Sequence, residues 1–127
     1  MPAAATPEIF VEKGVTVIAL GPDFATLDDS HLQSLRTVVL DVSQRADPPL
    51  VVIDLSHTRF FGSAFIEVLF RLWNRLNSRT DGAFAISGLT PYCAEVLKVT
   101  HLDKLWDLFP TRDEAVAHLS ERTRTGS

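Results

Sequence analysis

The chain has 127 residues, of which 46% are hydrophobic and 22% charged, and its formal net charge is -4. This size and composition predict one domain with a single hydrophobic core, and the acidic balance argues against a nucleic-acid-binding protein, which needs a basic face. A single cysteine rules out an internal disulfide, no run approaches the ~20 apolar residues of a membrane span, and residues 1–7 do not resemble a signal peptide, so we expect a cytoplasmic protein.

The first elements of the chain are predicted to be a β-hairpin and a helix. Residues 8–12 and 15–20 are typical of two short strands, since the lysine and glycine between them suit a tight turn. The helix that follows can start at Asp28 or Asp29, because either aspartate is a good cap. Its buried face is marked by Leu32, Leu35, Val39 and Val42.

A buried strand, a short connector and a second helix come next. Residues 50–55 form a near-continuous apolar run, which is typical of a strand covered on both faces. Residues 60–64 then bring the chain to an amphipathic helix with unusually small residues at its start. The apolar stripe of this helix is Ile66, Leu69, Phe70, Trp73 and Leu76.

The remaining elements alternate in the same way. Residues 83–87 are predicted to form a strand, and Thr90 followed by proline is a strong helix start. Ala94, Leu97 and Cys93 are expected on the core face of that helix, the cysteine as a small core residue. After a last short strand at residues 105–109, residues 111–114 form a capping box, in which the hydroxyl and the carboxylate each accept a backbone N–H hydrogen bond.

This order predicts an α/β fold. A mixed, mostly parallel sheet of about five strands starts with the hairpin, and about four helices pack against it. We expect a single domain at residues 8–120, with flexible ends at residues 1–7 and 121–127.

Four short segments occur in a recognisable order along the chain. They are residues 51–56 (VVIDLS), residues 60–63 (FFGS), residues 97–106 (LKVTHLDKLW), and Phe109 with residues 111–115. In this order they resemble the STAS domain, the family of bacterial anti-sigma-factor antagonists, over nearly the whole chain. The first segment is similar to the family's central strand, and the second occupies the place of its phosphorylation loop.

The resemblance implies a regulatory protein that acts by binding and is not an enzyme. In this family the antagonist docks on an anti-sigma kinase and frees the sigma factor. The kinase reverses this by phosphorylating a serine or threonine at the start of the second helix. We therefore expect an anti-sigma kinase or another signalling protein as partner, no nucleic acid, no cofactor and no metal, with homodimer formation left open. The alternative is a phosphorylation-independent STAS module, either a small-ligand or nucleotide sensor or a subunit of a transport or signalling complex.

The phosphorylation loop departs from the family pattern. The family sequence usually reads aspartate, serine, serine or threonine, glycine, whereas this chain has Gly62, Ser63, Ala64 and Phe65. The usual phosphoacceptor therefore falls on Ala64, which has no hydroxyl. Only Ser63 could still accept a phosphate.

Two other family positions are matched less closely. The acidic residue after the second strand corresponds to Asp28 or Asp23. The glycine after the third helix is His101, which is tolerable if the backbone there is left-handed.

The candidate partner-binding surface is centred on the connector and the start of the second helix. Ser63 is interpreted either as an N-cap or as a phosphoacceptor. Phe60 is expected in the core, while Phe61 or Phe65, if exposed, would be an aromatic anchor. The candidate partner-binding residues are Asp28, Arg59, Phe61, Gly62, Ser63, Ala64, Phe65 and Glu67.

Each of the two charged candidates near the second helix has a simple expected role. Arg59 is near enough in sequence to pair with a phosphate on Ser63, and Glu67 is expected to complement the helix dipole. Catalysis is not expected, because the loop lacks the second glycine of a serine-hydrolase elbow and the histidines show no metal-ligand spacing.

Overall fold

The computed structural model describes residues 7–27 and 29–125, and the side chains of residues 7–27 and 32–121. The strands are β1 (Glu8–Glu12), β2 (Val15–Ala19), β3 (Thr26–Leu27), β4 (Leu50–Asp54), β5 (Phe60–Phe61), β6 (Ala83–Ser87) and β7 (Asp107–Phe109). The helices are α1 (Asp29–Arg45), α2 (Ser63–Asn77), α3 (Pro91–Val99) and α4 (Arg112–Thr125), and two 3₁₀ turns lie at Pro22–Phe24 and Leu102–Lys104.

The main sheet confirms the predicted architecture. Its five strands lie in the order β1-β2-β4-β6-β7, and only the first pair, the β1–β2 hairpin, is antiparallel. A second, two-stranded parallel sheet pairs β3 with β5. This small sheet was not predicted from the sequence, because two-residue strands carry no periodicity to detect.

The two faces of the main sheet are covered by different helices. Side chains from α1, α2 and α3 share one core with alternate residues of the sheet, including Val51 and Ile53. The other face, with Leu50 and Val52, packs against α4. Every residue of β4 is buried, as the apolar run of residues 50–55 predicts.

The buried face of α2 is rotated from the stripe that the sequence suggests. Its fully buried residues are Phe65, Val68, Leu69, Leu72 and Leu76. The predicted members Ile66, Phe70 and Trp73 lie at the flank, partly buried against the same core. The row 65, 69, 72, 76 has regular helical spacing, so Phe65 belongs to the core face from the first turn onward.

The predicted hydroxyl caps are found at α3 and α4, but of the capping box at residues 111–114 only the hydroxyl half forms among the described side chains. The Thr90 hydroxyl accepts a hydrogen bond from the Cys93 N–H (3.4 Å), and the Thr111 hydroxyl accepts one from the Glu114 N–H (3.2 Å). His101 has φ 63° and ψ 17°, which is the left-handed conformation that a family glycine would suit. Helix α4 runs to Thr125, past the domain boundary predicted at residue 120.

Strand β7 begins at Asp107 rather than at residue 105. Leu105, placed in the strand by the sequence, follows the 3₁₀ turn and is exposed. Within the described residues, no helix combines the length and the apolar character that crossing a membrane requires.

Candidate functional site

The connector between β4 and β5 is held tightly against the loop that precedes β3. The buried Thr58 hydroxyl donates a hydrogen bond to the Phe24 carbonyl (3.1 Å). The N–H groups of Arg59 and Phe60 both donate to the Ala25 carbonyl, at 2.8 and 3.1 Å. The backbone that carries these side chains is therefore fixed, even though it belongs to no long strand or helix.

Pairing of β5 with β3 decides which phenylalanine faces solvent. Thr26 lies opposite Phe60 and Leu27 opposite Phe61 in the parallel register. Because successive strand residues point to opposite sides, Leu27 and Phe61 turn into the core while Thr26 and Phe60 turn outward.

The predicted roles of the three phenylalanines are therefore reversed. Phe61 is 2% exposed and Phe65 0%, and their ring centroids lie 5.2 Å apart inside the core. Neither residue is available as an exposed aromatic anchor. Phe60, expected in the core, is 44% exposed, because it occupies the outward position of β5.

Phe60 is half of an exposed aromatic pair that sequence reasoning missed. Its ring stacks on Tyr92 of α3, with centroids 5.7 Å apart and planes inclined by 25°, and Tyr92 is 53% exposed. The signal for Tyr92 was present: Cys93 and Leu97 mark the buried face of α3, which leaves the neighbouring residue 92 away from the core.

Ser63 is the first residue of α2 and is exposed, but it does not cap the helix. The N-cap is Gly62, in an extended conformation (φ -110°, ψ -170°) and without a side-chain cap. The Gly62 carbonyl accepts hydrogen bonds from the N–H groups of Phe65 (3.2 Å) and Ile66 (3.3 Å). The N-cap interpretation of Ser63 is therefore wrong, because the helix begins one residue earlier than that role requires.

Ala64 and Glu67 complete the first turns of α2. Ala64 is half-buried and packs against the core. Glu67 is exposed and pairs with Arg71 at 3.2 Å, one turn further along the helix. The first turn of α2 carries no acidic residue, so no carboxylate within it offsets the positive end of the helix dipole.

Arg59 is exposed and lines a cleft of about 400 Å³. We call this the Arg59 cleft, and its lining residues are Pro22, Ala25, Thr26, Ser56, His57, Arg59 and Thr90. Asp28, the remaining candidate, lies outside the described residues. Asp23, the other match for the family's acidic position, lies exposed in the first 3₁₀ turn.

Cys93 lies behind this surface as a core residue, as predicted. It is fully buried, and its Sγ lies 3.8 Å from the Thr58 carbonyl. Burial raises the pKa of the Cys93 thiol, while a hydrogen bond with Thr90 acts in the opposite direction. The thiol is therefore less available as a thiolate than an exposed cysteine would be.

Four exposed side chains lie around the hydrogen-bonded connector and the starts of α2 and α3. We use the name α2-tip surface for the exposed side chains of Arg59, Phe60, Ser63 and Tyr92. It combines a cation, two aromatic rings and two hydroxyls, those of Ser63 in α2 and Tyr92 in α3. Such a surface is suited to binding a protein partner, since aromatic and arginine side chains are enriched at the centres of interfaces.

The family model of the STAS domain matches residues 8–115, so the chain belongs to the STAS domain family. Among solved structures it is similar to an anti-sigma-factor antagonist (STAS) domain protein from Planctomyces limnophilus. The identity is 38% over 91% of this chain and 99% of that one, with a TM-score of 0.87. The resemblance predicted from the sequence is thereby confirmed.

Two further structures are similar at lower identity. An anti-sigma factor antagonist from Mycobacterium paratuberculosis shares 28% identity over 90% of this chain and 92% of that one, with a TM-score of 0.78. The Bacillus cell fate determinant SpoIIAA in its phosphorylated form shares the fold at 16% identity, covering 90% and 99% of the two chains, with a TM-score of 0.68. Comparison with curated proteins gives no significant match.

Proposed function

We propose that this protein is a cytoplasmic regulatory module of the anti-sigma-factor-antagonist type, which works by binding and not by catalysis. Its partner is a kinase-type anti-sigma factor, and the contact is made by the α2-tip surface. The described similarity to the Planctomyces limnophilus antagonist, at 38% identity, supports the class of partner.

The observation that carries this proposal is the exposed Phe60–Tyr92 pair. Both rings keep about half of their surface in solvent although they stack on each other. The backbone of Phe60 is fixed by its hydrogen bond to Ala25, and Tyr92 lies in the first turn of α3. A partner that covers these rings therefore gains apolar burial while little chain has to be ordered on binding.

Ser63 is the regulatory residue of this proposal. A phosphate there would add about two negative charges at the N-terminus of α2, where the helix dipole tolerates them. A partner packed on the same surface would lose contact through repulsion and desolvation. Ala64 at the usual acceptor position leaves Ser63 as the hydroxyl in the first turn of α2.

Replacing Ser63 by aspartate tests this regulation. We expect Ser63→Asp to weaken binding of the purified host kinase-type anti-sigma factor by about tenfold, because a charge enters the interface. The free energy of unfolding should stay unchanged or rise by about 0.3–1 kcal/mol through the helix dipole. Titration calorimetry gives the affinity and urea denaturation the stability, with Ser63→Ala as the uncharged control.

The kinase reaction gives the complementary result. Incubation with the same anti-sigma factor and ATP should place phosphate on Ser63, mapped by mass spectrometry, and no label should appear on Ser63→Ala. Equal affinities of the aspartate and alanine variants, together with an unmodified Ser63, would contradict the proposed switch.

One observation favours a second candidate, a module that binds without being phosphorylated. Ala64 occupies the position of the usual phosphoacceptor, and it is half-buried against the core. The residue that follows it, Phe65, is fully buried. The local structure therefore no longer offers the small, exposed loop of the family pattern. Stable complex formation in the presence of ATP, with Ser63 unmodified, would select this candidate.

A further inference from the structure

The Arg59 cleft is an anion-accepting feature beside the aromatic pair. Its polar lining consists of one guanidinium, one imidazole and three hydroxyl groups: Arg59, His57, Thr26, Ser56 and Thr90. Among the residues that the structure describes, no carboxylate lines it. All five groups can donate hydrogen bonds. The cleft is therefore rich in donors, although the protein as a whole has a net charge of -4.

Arg59 is free to bind an outside group. Among the described side chains, Arg45, Arg71 and Arg112 form ion pairs, whereas Arg59 has none. Its backbone N–H is bound to the Ala25 carbonyl at 2.8 Å, so the side chain projects from a fixed position. An arginine held in this way is a suitable partner for a carboxylate, which it can bind through two parallel hydrogen bonds.

Two described carboxylates in neighbouring segments, Asp54 and Asp23, do not neutralise the cleft by direct pairing. Asp54 accepts a hydrogen bond from the Ser56 N–H (3.0 Å) and lies 3.7 Å from Arg112. Asp23 is exposed in the 3₁₀ turn and is not part of the cleft lining. Thr90, the N-cap residue of α3, lines the cleft, so the positive end of the α3 dipole lies on this side.

Residues that line the cleft are close in sequence to both members of the aromatic pair. Arg59 precedes Phe60 directly, and Thr90 lies two residues before Tyr92. When a bound segment places an apolar side chain on the rings, the residues one or two positions away in that segment therefore lie near the cationic cleft.

We infer that the Arg59 cleft receives a carboxylate side chain from an acidic segment of the partner, whose neighbouring apolar residue packs on Phe60 and Tyr92. This inference rests on the proposed function and specifies the chemistry of its partner: the docking segment carries aspartate or glutamate next to an apolar side chain.

NMR titration of the full chain at constant ionic strength tests the inference. The probes are two capped peptides and inorganic phosphate. The acidic probe has the sequence glutamate-aspartate-leucine-glutamate-phenylalanine-aspartate, and its matched control replaces each acid by the corresponding amide. Inorganic phosphate is the third probe. We expect the acidic peptide to bind at least about tenfold more tightly than the amide peptide, with shifts at Thr26, His57, Arg59 and Tyr92.

Charge reversal then locates the effect. Arg59→Glu should weaken binding of the acidic peptide by about tenfold, because an attraction is lost and a repulsion gained. Arg75→Glu is the matched control, since it changes the net charge equally at an exposed position in the last turn of α2, and it should change binding by less than about twofold. The dispersion of the NMR spectrum checks that both variants are folded.

Each contrary result overturns the inference in a recognisable way. Equal binding of the acidic and amide peptides, or no binding of either, removes the carboxylate preference. Equal losses in the two variants indicate an effect of net charge only. If phosphate produces the same shifts at the same concentration, the cleft is a small-anion site and not a peptide site. An anti-sigma factor that still binds through Phe60 and Tyr92, but ignores Arg59→Glu, would defeat this inference and leave the proposed function standing.

Discussion

Phe65→Ala is expected to lower the free energy of unfolding by about 3–5 kcal/mol. Phe65 is fully buried, it contacts the ring of Phe61, and it begins the row of core residues along α2. Truncation removes this burial and leaves a cavity that the surrounding core cannot fill completely. Urea denaturation followed by circular dichroism measures the loss. Phe60→Ala is the matched control and should lose less than about 1 kcal/mol, because its ring is 44% exposed.

A loss below about 1 kcal/mol for Phe65→Ala would contradict the placement of this ring in the core. The same reasoning applies to Phe65→Gly, which restores the small residue of the family pattern. That change is expected to destabilise the domain at least as much, since it also adds backbone freedom at the start of α2. It is therefore a test of the fold, and it does not report on the binding surface.

The double variant Phe60→Ala/Tyr92→Ala is expected to weaken binding of the kinase-type anti-sigma factor by about 2 kcal/mol or more, roughly thirtyfold in affinity. Truncation removes both exposed rings, which are the largest apolar side chains of the α2-tip surface. Titration calorimetry measures the change. The unfolding free energy should shift by only about 1 kcal/mol, since both residues already contact solvent extensively.

The control for this prediction uses exposed apolar residues elsewhere on the protein. Val99 and Leu105 are exposed but do not belong to the α2-tip surface, so Val99→Ala and Leu105→Ala should leave the affinity within about twofold. Wild-type affinity in the double variant, or an equal loss in the controls, would show that the partner binds elsewhere.

Much of the fold could be predicted because its signals are local. The apolar run of β4 indicates burial on both faces, and that burial is observed. In the Thr90 and Thr111 caps, each hydroxyl accepts a hydrogen bond from the N–H group three residues further along the chain. This spacing is visible in the sequence. The β3–β5 pair could not be predicted, because it joins two-residue segments that are distant along the chain.

The burial of the phenylalanines in the candidate site could not be predicted correctly from the sequence. Phe60 and Phe61 are neighbours that point to opposite sides of β5, and the pairing of β5 with β3 decides which of them faces the core. The sequence does not reveal this pairing. The apolar stripe that begins at Ile66 does not include Phe65, so the burial of Phe65 is not predicted. The row from Phe65 through Leu69 and Leu72 has the more regular spacing.

The most direct test of the central claim is hydrogen–deuterium exchange of the protein with and without its anti-sigma factor. Binding at the α2-tip surface predicts slower exchange in residues 58–68 and at the start of α3, with unchanged exchange in β1 and α4. Protection confined to β1 or α4, with the start of α2 exchanging as in the free protein, would contradict the account.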